Sequence, residues 1–158
     1  MGLHSEADLN RKFVEFAKLM NVYLNHFPKA EKYGLAQQIR QAAYDVYAMI
    51  VEGHKRYHKK TTLTQLDVRH EQLRMFINLA QELGYFEFRD GAKAEAGPKR
   101  LAAHRHAALS RLVDEMGRMI GGWVRRTHSL QHLLHQTQER NHALYCQLPQ
   151  SHRRAHHA

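Results

Sequence analysis

The sequence predicts an all-α protein, an antiparallel up-down four-helix bundle, and three observations carry that reading. Apolar residues recur at spacings of three and four through long stretches of the chain. The only three prolines, at positions 28, 98 and 149, fall between those stretches. The connections left over are short, as helices packed beside their sequence neighbours require, and 158 residues suffice for one core. The bundle is assigned to residues 1–128. A His/Arg-rich extension, partly helical or disordered, occupies residues 129–158.

The first helix starts at a capping-box pattern, Ser5 with Asp8 three residues on. Leu9, Phe13, Phe16, Met20, Tyr23 and Phe27 then form one apolar stripe. Pro28 stops it by disfavouring helical geometry in the residue before. The second helix carries Ile39, Ala43, Val46, Ile50, Gly53 and Tyr57, with Glu31 to Gly34 as its first turn or the connection to it. Thr62 and Gln65 suggest a second capping box, followed by Leu66, Leu73, Ile77, Ala80 and Gly84 on one face. Phe76, Leu79, Leu83 and Phe86 add a second row.

Residues 89–97 read as a polar loop, and Pro98 suits the first turn of the fourth helix. That helix also has two rows: Leu101, Ala108, Leu112, Met119 and Trp123, beside Leu109, Val113, Met116, Ile120 and Val124. Two apolar rows on helices three and four exceed what a corner helix buries, so a ring or other homo-oligomer is expected. Thr127-His128-Ser129 either interrupts or continues the helix. Ser151 to Ala158 has too few apolar residues to offset ordering entropy and is expected to be disordered alone.

Within the fourth helix, Met116 to Arg126 holds three glycines and the only tryptophan. Glycine inside a helix costs about 1 kcal/mol relative to alanine, so a cluster implies close approach. Gly117 and Gly121 share a face, and Trp123 is a large apolar anchor beside them. They are candidates for packing between helices of one bundle or between subunits.

Composition narrows the function. No run of 18 apolar residues exists, so no membrane span or membrane partner is expected. The N-terminus lacks the pattern of a secretory signal, and Cys146 is the single cysteine, which fits a reducing cytoplasmic setting. The formal charge is +9, and residues 99–158 hold ten Lys and Arg against three acids. That asymmetry points to a polyanion or an acidic protein surface. Candidate ligands for it are Arg40, Lys55, Arg56, Lys59, Lys60, Arg69, Arg74, Arg111, Arg118, Arg125 and Arg126, with Tyr33, Tyr57 and Tyr85 as possible stacking surfaces.

No catalytic residue is expected, because no nucleophile motif or phosphate-cradling glycine loop occurs. No cofactor and no metal site are assigned. His54/His58, His128/His132/His135 and Glu139/His142 have suggestive spacings, but a di-metal bundle needs two Glu-x-x-His motifs and further inward carboxylates. His70-Glu71 reads as helix surface.

Ordered segments along the chain resemble a known family. They are Phe27 to Leu35, Gln38-Ile39-Arg40, Ile50-Val51-Glu52-Gly53, Leu66-Asp67-Val68, Leu73-Arg74 and Leu79 to Tyr85. They resemble the four-helix-bundle proteins encoded in intervening sequences of 23S ribosomal RNA genes. Gly117 to Val124 is similar to the related accessory variability determinant (Avd-like) proteins of diversity-generating retroelements. The ribosomal branch tends to carry a Ser-Ile-Pro step in helix two, where this chain reads Tyr44-Asp45-Val46-Tyr47, so the retroelement branch is favoured.

The likeness spans about residues 8–127. It implies a basic, homopentameric, non-catalytic accessory subunit that binds the element's reverse transcriptase, contacts template RNA and cDNA, and supports mutagenic retrohoming. The alternative is a bundle of unknown role encoded in a ribosomal RNA intervening sequence. Under the resemblance, Arg74 and the Arg118, Arg125 and Arg126 group are placed on the partner surface.

Overall fold

The computed structural model describes residues 6–147 and contains four helices: α1 (Glu6–Leu24), α2 (Leu35–Lys55), α3 (Lys60–Glu82) and α4 (Pro98–Gln147). Ser5, proposed as a cap, and the segment from Ser151 lie outside the described residues. The fold is an all-α helical bundle, with strand, among the described residues, confined to one minimal hairpin.

Pairwise contacts give the topology. Phe13 stacks on Tyr47 and Asn21 meets Tyr44, so α2 runs antiparallel to α1. Asp45 pairs with Arg69, and Gly53 abuts Leu63, which reverses α3 against α2. His70 reaches Val113 while Asn78 meets His106, so α4 reverses again. Lys12 binds Glu115 and Tyr23 receives Arg105, closing α4 onto α1.

The core follows the apolar periodicity. Leu9, Phe13, Phe16 and Met20 of α1, Ile39, Ala43, Val46 and Ile50 of α2, and Leu66, Leu73, Ile77 and Ala80 of α3 are buried. They meet Leu109, Leu112, Val113, Met116 and Ile120 of α4. Transfer of such side chains from water contributes about 1.5–3 kcal/mol each and is the main stabilising term. Proline at the first residue of α4 costs nothing there, since that amide has no helical partner.

Several boundaries differ from the sequence-based expectation. Thr62 caps nothing: α3 begins at Lys60, and Thr62 is buried inside its first turns beside Leu63. Tyr57 is not the end of the α2 stripe, because α2 stops at Lys55 and Tyr57 is 91% exposed. α2 is capped from outside: the Leu35 amide donates to the Glu31 carboxylate (2.9 Å), which also accepts from the Tyr85 hydroxyl (2.9 Å). Tyr85 is therefore part of the bundle end rather than a stacking surface. His70, read as surface, is only 2% exposed.

The connection after α3 is more ordered than a polar loop. A 3-10 turn (Tyr85–Glu87) leads into β1 (Phe88–Arg89), which pairs antiparallel with β2 (Ala92–Lys93). Asp90 and Gly91 both have positive φ, the backbone that a two-residue hairpin turn with native twist requires. Arg105, 5% exposed, holds this segment to the bundle. Its guanidinium donates to the carbonyls of Phe88 (2.6 Å) and Phe86 (3.3 Å) and lies over the Tyr23 ring. Glu87, also buried, accepts Lys93 (2.8 Å) and Lys99 (2.6 Å).

The chain forms two compact units, Met1–Val124 and Arg125–Ala158. The first contains the bundle and its core. In the second, the described residues are helical through Gln147, so Thr127-His128-Ser129 does not interrupt the helix. No described helix is long and apolar enough to cross a membrane.

Candidate nucleic-acid and partner surface

The eleven basic residues singled out by sequence fall into two chemical groups. The first is tied to carboxylates or amides. Arg40 donates to Asn21 (3.0 Å) and Asn25 (2.9 Å), joining α2 to α1. Arg69 pairs with Asp45 (2.9 Å), Arg74 with Asp114 (2.7 Å) and Glu71 (3.2 Å), and Arg56 with Glu52 (2.6 Å). Arg111 pairs with Glu115 (2.9 Å) and lies 3.9 Å from Glu15. Glu115 also holds Lys12 at 2.8 Å; hydrogen bonding to Glu115 and Glu15 raises the Lys12 ammonium pKa, while Lys12 lowers that of the Glu115 carboxyl.

Such pairs fix helix register more than they stabilise. Exposed ion pairs contribute about 0–1 kcal/mol each. Their charge is also locally offset, which weakens them as independent phosphate ligands.

The second group is free of carboxylates within ion-pair distance among the described residues: Lys55, Lys59, Lys60, Arg118, Arg125 and Arg126. Three of these, Lys55, Lys59 and Lys60, sit at the α2–α3 junction in the first unit. Trp123 of α4 reaches that junction. Its ring stacks on His54 (centroids 4.3 Å apart, 17° between planes), and the Lys59 ammonium lies 6.0 Å from the ring centroid. A strongly exposed Tyr57, set edge to face against His58, completes the cluster.

Glycine makes the approach possible. A Cβ on Gly53 would stand 2.8 Å from the Trp123 ring and 3.2 Å from Leu63. Only a residue without a side chain lets the indole lie against α2. Gly117 does the same one face over, where a Cβ would meet His70 at 2.8 Å and Arg74 at 3.1 Å. Both contacts join helices within one chain. Gly121 is half-buried.

Sequence reasoning missed that Arg105 and His70, like Glu87, are buried polar groups. Arg105 occupies a core position in α4, and its place three residues after Ala102 and four before Leu109 was the available signal. His70 donates Nε2–H to the Val113 carbonyl (2.8 Å), and burial lowers its pKa. Its position four residues after Leu66, in the buried stripe, was the available signal.

Fold and site together define a helical-bundle protein with a cationic, aromatic-bearing junction and, among the described residues, no group of three or more metal-ligating side chains. A family model described as bAvd-like matches residues 9–127, and the chain belongs to the bAvd-like family. No curated protein matches it.

Proposed function

We propose that this protein is a non-catalytic accessory subunit of a diversity-generating retroelement. It binds the element's reverse transcriptase and its template RNA or cDNA through basic side chains, and so supports mutagenic cDNA synthesis. The observation that carries the reading, beyond family membership, is the α2–α3 junction. There Lys59 lies over the Trp123 ring that stacks on His54, and Lys55, Lys59 and Lys60 have no carboxylate within ion-pair distance among the described residues. Ammonium groups so placed release counterions when they meet phosphates, and the rings offer stacking that tolerates any base.

The working form is a homo-oligomer, a pentamer by family likeness, acting in the cytoplasm. In support, α3 and its C-cap residue carry exposed Val68, Met75, Leu79 and Leu83 on a face that the bundle leaves uncovered. Repetition of the junction by symmetry turns several weak phosphate contacts into avidity. Arg118 of the first unit, and separately Arg125 and Arg126 of the second, are further cations assigned to the enzyme partner.

The test is a salt titration of RNA binding with Trp123, the only tryptophan, as fluorescent reporter. Affinity falls steeply with salt, and replacing Lys55, Lys59 and Lys60 by Gln reduces the slope by about 0.7 per lost phosphate contact on single strands. Charge reversal at Arg125 and Arg126 weakens co-purification with the reverse transcriptase. A flat salt dependence, unchanged co-purification, or a clean monomer in analytical ultracentrifugation at micromolar concentration overturns the corresponding part. A neighbouring reverse-transcriptase gene with a template and variable repeat pair is the genomic expectation.

A further inference from the structure

The second unit contains a helical face that the reading above does not use. His128, His132, His135, Glu139, His142 and Cys146 are separated by four, three, four, three and four residues. On a continuous helix that spacing sets all six along one side. Leu130, Leu133, Leu134 and Leu144 fall on the opposite side, all of them exposed. The leucines share their side with Thr137 and Asn141, whereas the other side collects imidazole, carboxylate and thiol.

Neighbours on the polar face are within chelating reach. His135 Nδ1 lies 3.4 Å from a Glu139 oxygen, and His142 Nδ1 lies 3.8 Å from the Cys146 sulfur. All six side chains are exposed to solvent, so they reach a cation without any opening of the fold. A shallow groove runs along His135, Gln138, Glu139 and His142. Among the described residues no three such groups converge on one point, so a closed three- or four-ligand cage does not exist on this helix. What the helix supplies is the two-point grip of ligands one turn apart, the same geometry by which two histidines at i and i+4 hold zinc.

We propose that this face binds a borderline transition-metal dication, zinc or nickel, by two-point chelation at His128/His132 and at His142/Cys146, with water completing the coordination. Imidazole and thiolate select these ions, whereas magnesium and calcium require oxygen cages that this face lacks. Binding at His142/Cys146 releases the thiol proton to solvent as the thiolate takes the metal. The proposal is independent of nucleic-acid or polymerase binding.

The test uses the untagged, reduced full chain, freed of metal and titrated with zinc chloride by calorimetry. Saturable uptake is expected, with excess magnesium present and failing to compete. H128A/H132A/H142A weakens it at least about tenfold, equivalent to about 1.4 kcal/mol, with the helical circular-dichroism signal retained. H54A/H58A, and separately H152A/H156A/H157A, leave it unchanged. Cobalt substitution gives a thiolate-to-metal charge-transfer band that C146S removes. No uptake, uptake unchanged in the triple variant, loss in either control, competition by magnesium, or absence of the band overturns the proposal.

Discussion

The imidazole of His70 donates from Nε2 to the carbonyl oxygen of Val113, 2.8 Å away, and the missing side chain of Gly117 makes the room. The carbonyl can only accept, so Nε2 carries the proton. Burial disfavours a second proton on the ring and lowers the His70 pKa. One polar contact thus ties α3 to α4 at the level where Arg74 pairs with Asp114.

That contact predicts an acid-sensitive fold. The unfolded histidine takes a proton near pH 6.5, whereas buried His70 resists it. The stabilisation is therefore complete above about pH 6.5 and is lost as pH falls below it. His106, also lowered by burial, adds in the same direction. Glu87 and Glu115, whose pKa values are lowered by lysine partners, stabilise the fold throughout the neutral range, and that contribution is lost only as pH falls through and below the ordinary carboxylate range. Urea midpoints at pH 8, 6.5 and 5 should fall in that order, and H70Q, which keeps an N–H donor, should flatten the upper part of the curve. An identical pH profile for H70Q rejects the assignment.

Gly117→Ala sets two effects against each other. Alanine recovers about 1 kcal/mol of helix propensity, but its methyl meets a buried, hydrogen-bonded ring at 2.8 Å. Overpacking of this kind costs about 1–3 kcal/mol. The contact wins, and a net loss near 1 kcal/mol is expected in denaturant unfolding. A stabilised variant would mean that His70 yields freely.

Gly53 and Trp123 should behave as one unit. Gly53→Ala strains the indole, while Trp123→Ala removes its stack on His54 and costs roughly 2 kcal/mol, less than for a fully buried tryptophan. In the double variant the added methyl has no indole to meet. The two losses should then fall short of additive by at least about 0.5 kcal/mol. Strict additivity in a double-mutant cycle refutes the contact.

Arg105→Met tests the hairpin anchor. Methionine keeps the apolar stem but leaves the Phe86 and Phe88 carbonyls without their charged donor. Hydrogen bonds to charged groups contribute about 1.5–3 kcal/mol, so a loss of about 2 kcal/mol is expected. Faster amide exchange at Ala94, which donates to the Glu87 carbonyl, should accompany it. Lysine at this position, with one short donor group, should recover part of the loss.

The helices were legible because burial obeys a period. Phe16, Met20, Ile39, Val46, Leu73, Ile77, Met116 and Ile120 stand at spacings that only a helix places on one side, and all are buried. The basic character of the chain was equally plain. What remained hidden depends on contacts between distant residues. Spacing places Arg105 in the buried stripe of α4 and Arg118 on the opposite, exposed face, but it cannot tell that Arg105 finds its partners in the Phe86 and Phe88 carbonyls. Nor could Thr62 be recognised as core instead of cap, since a hydroxyl serves a helix start only if the chain turns there.

Local chemistry along the chain therefore determined the helix count, the apolar stripes, the charge and the glycine–tryptophan cluster. Tertiary structure alone decided which cations are offset by carboxylates and which remain available at the α2–α3 junction. It also decided that Gly53 and Gly117 accommodate Trp123 and His70 of neighbouring helices. The physical reason is range: periodicity acts within a few turns of one helix, whereas charge pairing and close packing arise only where separate helices meet.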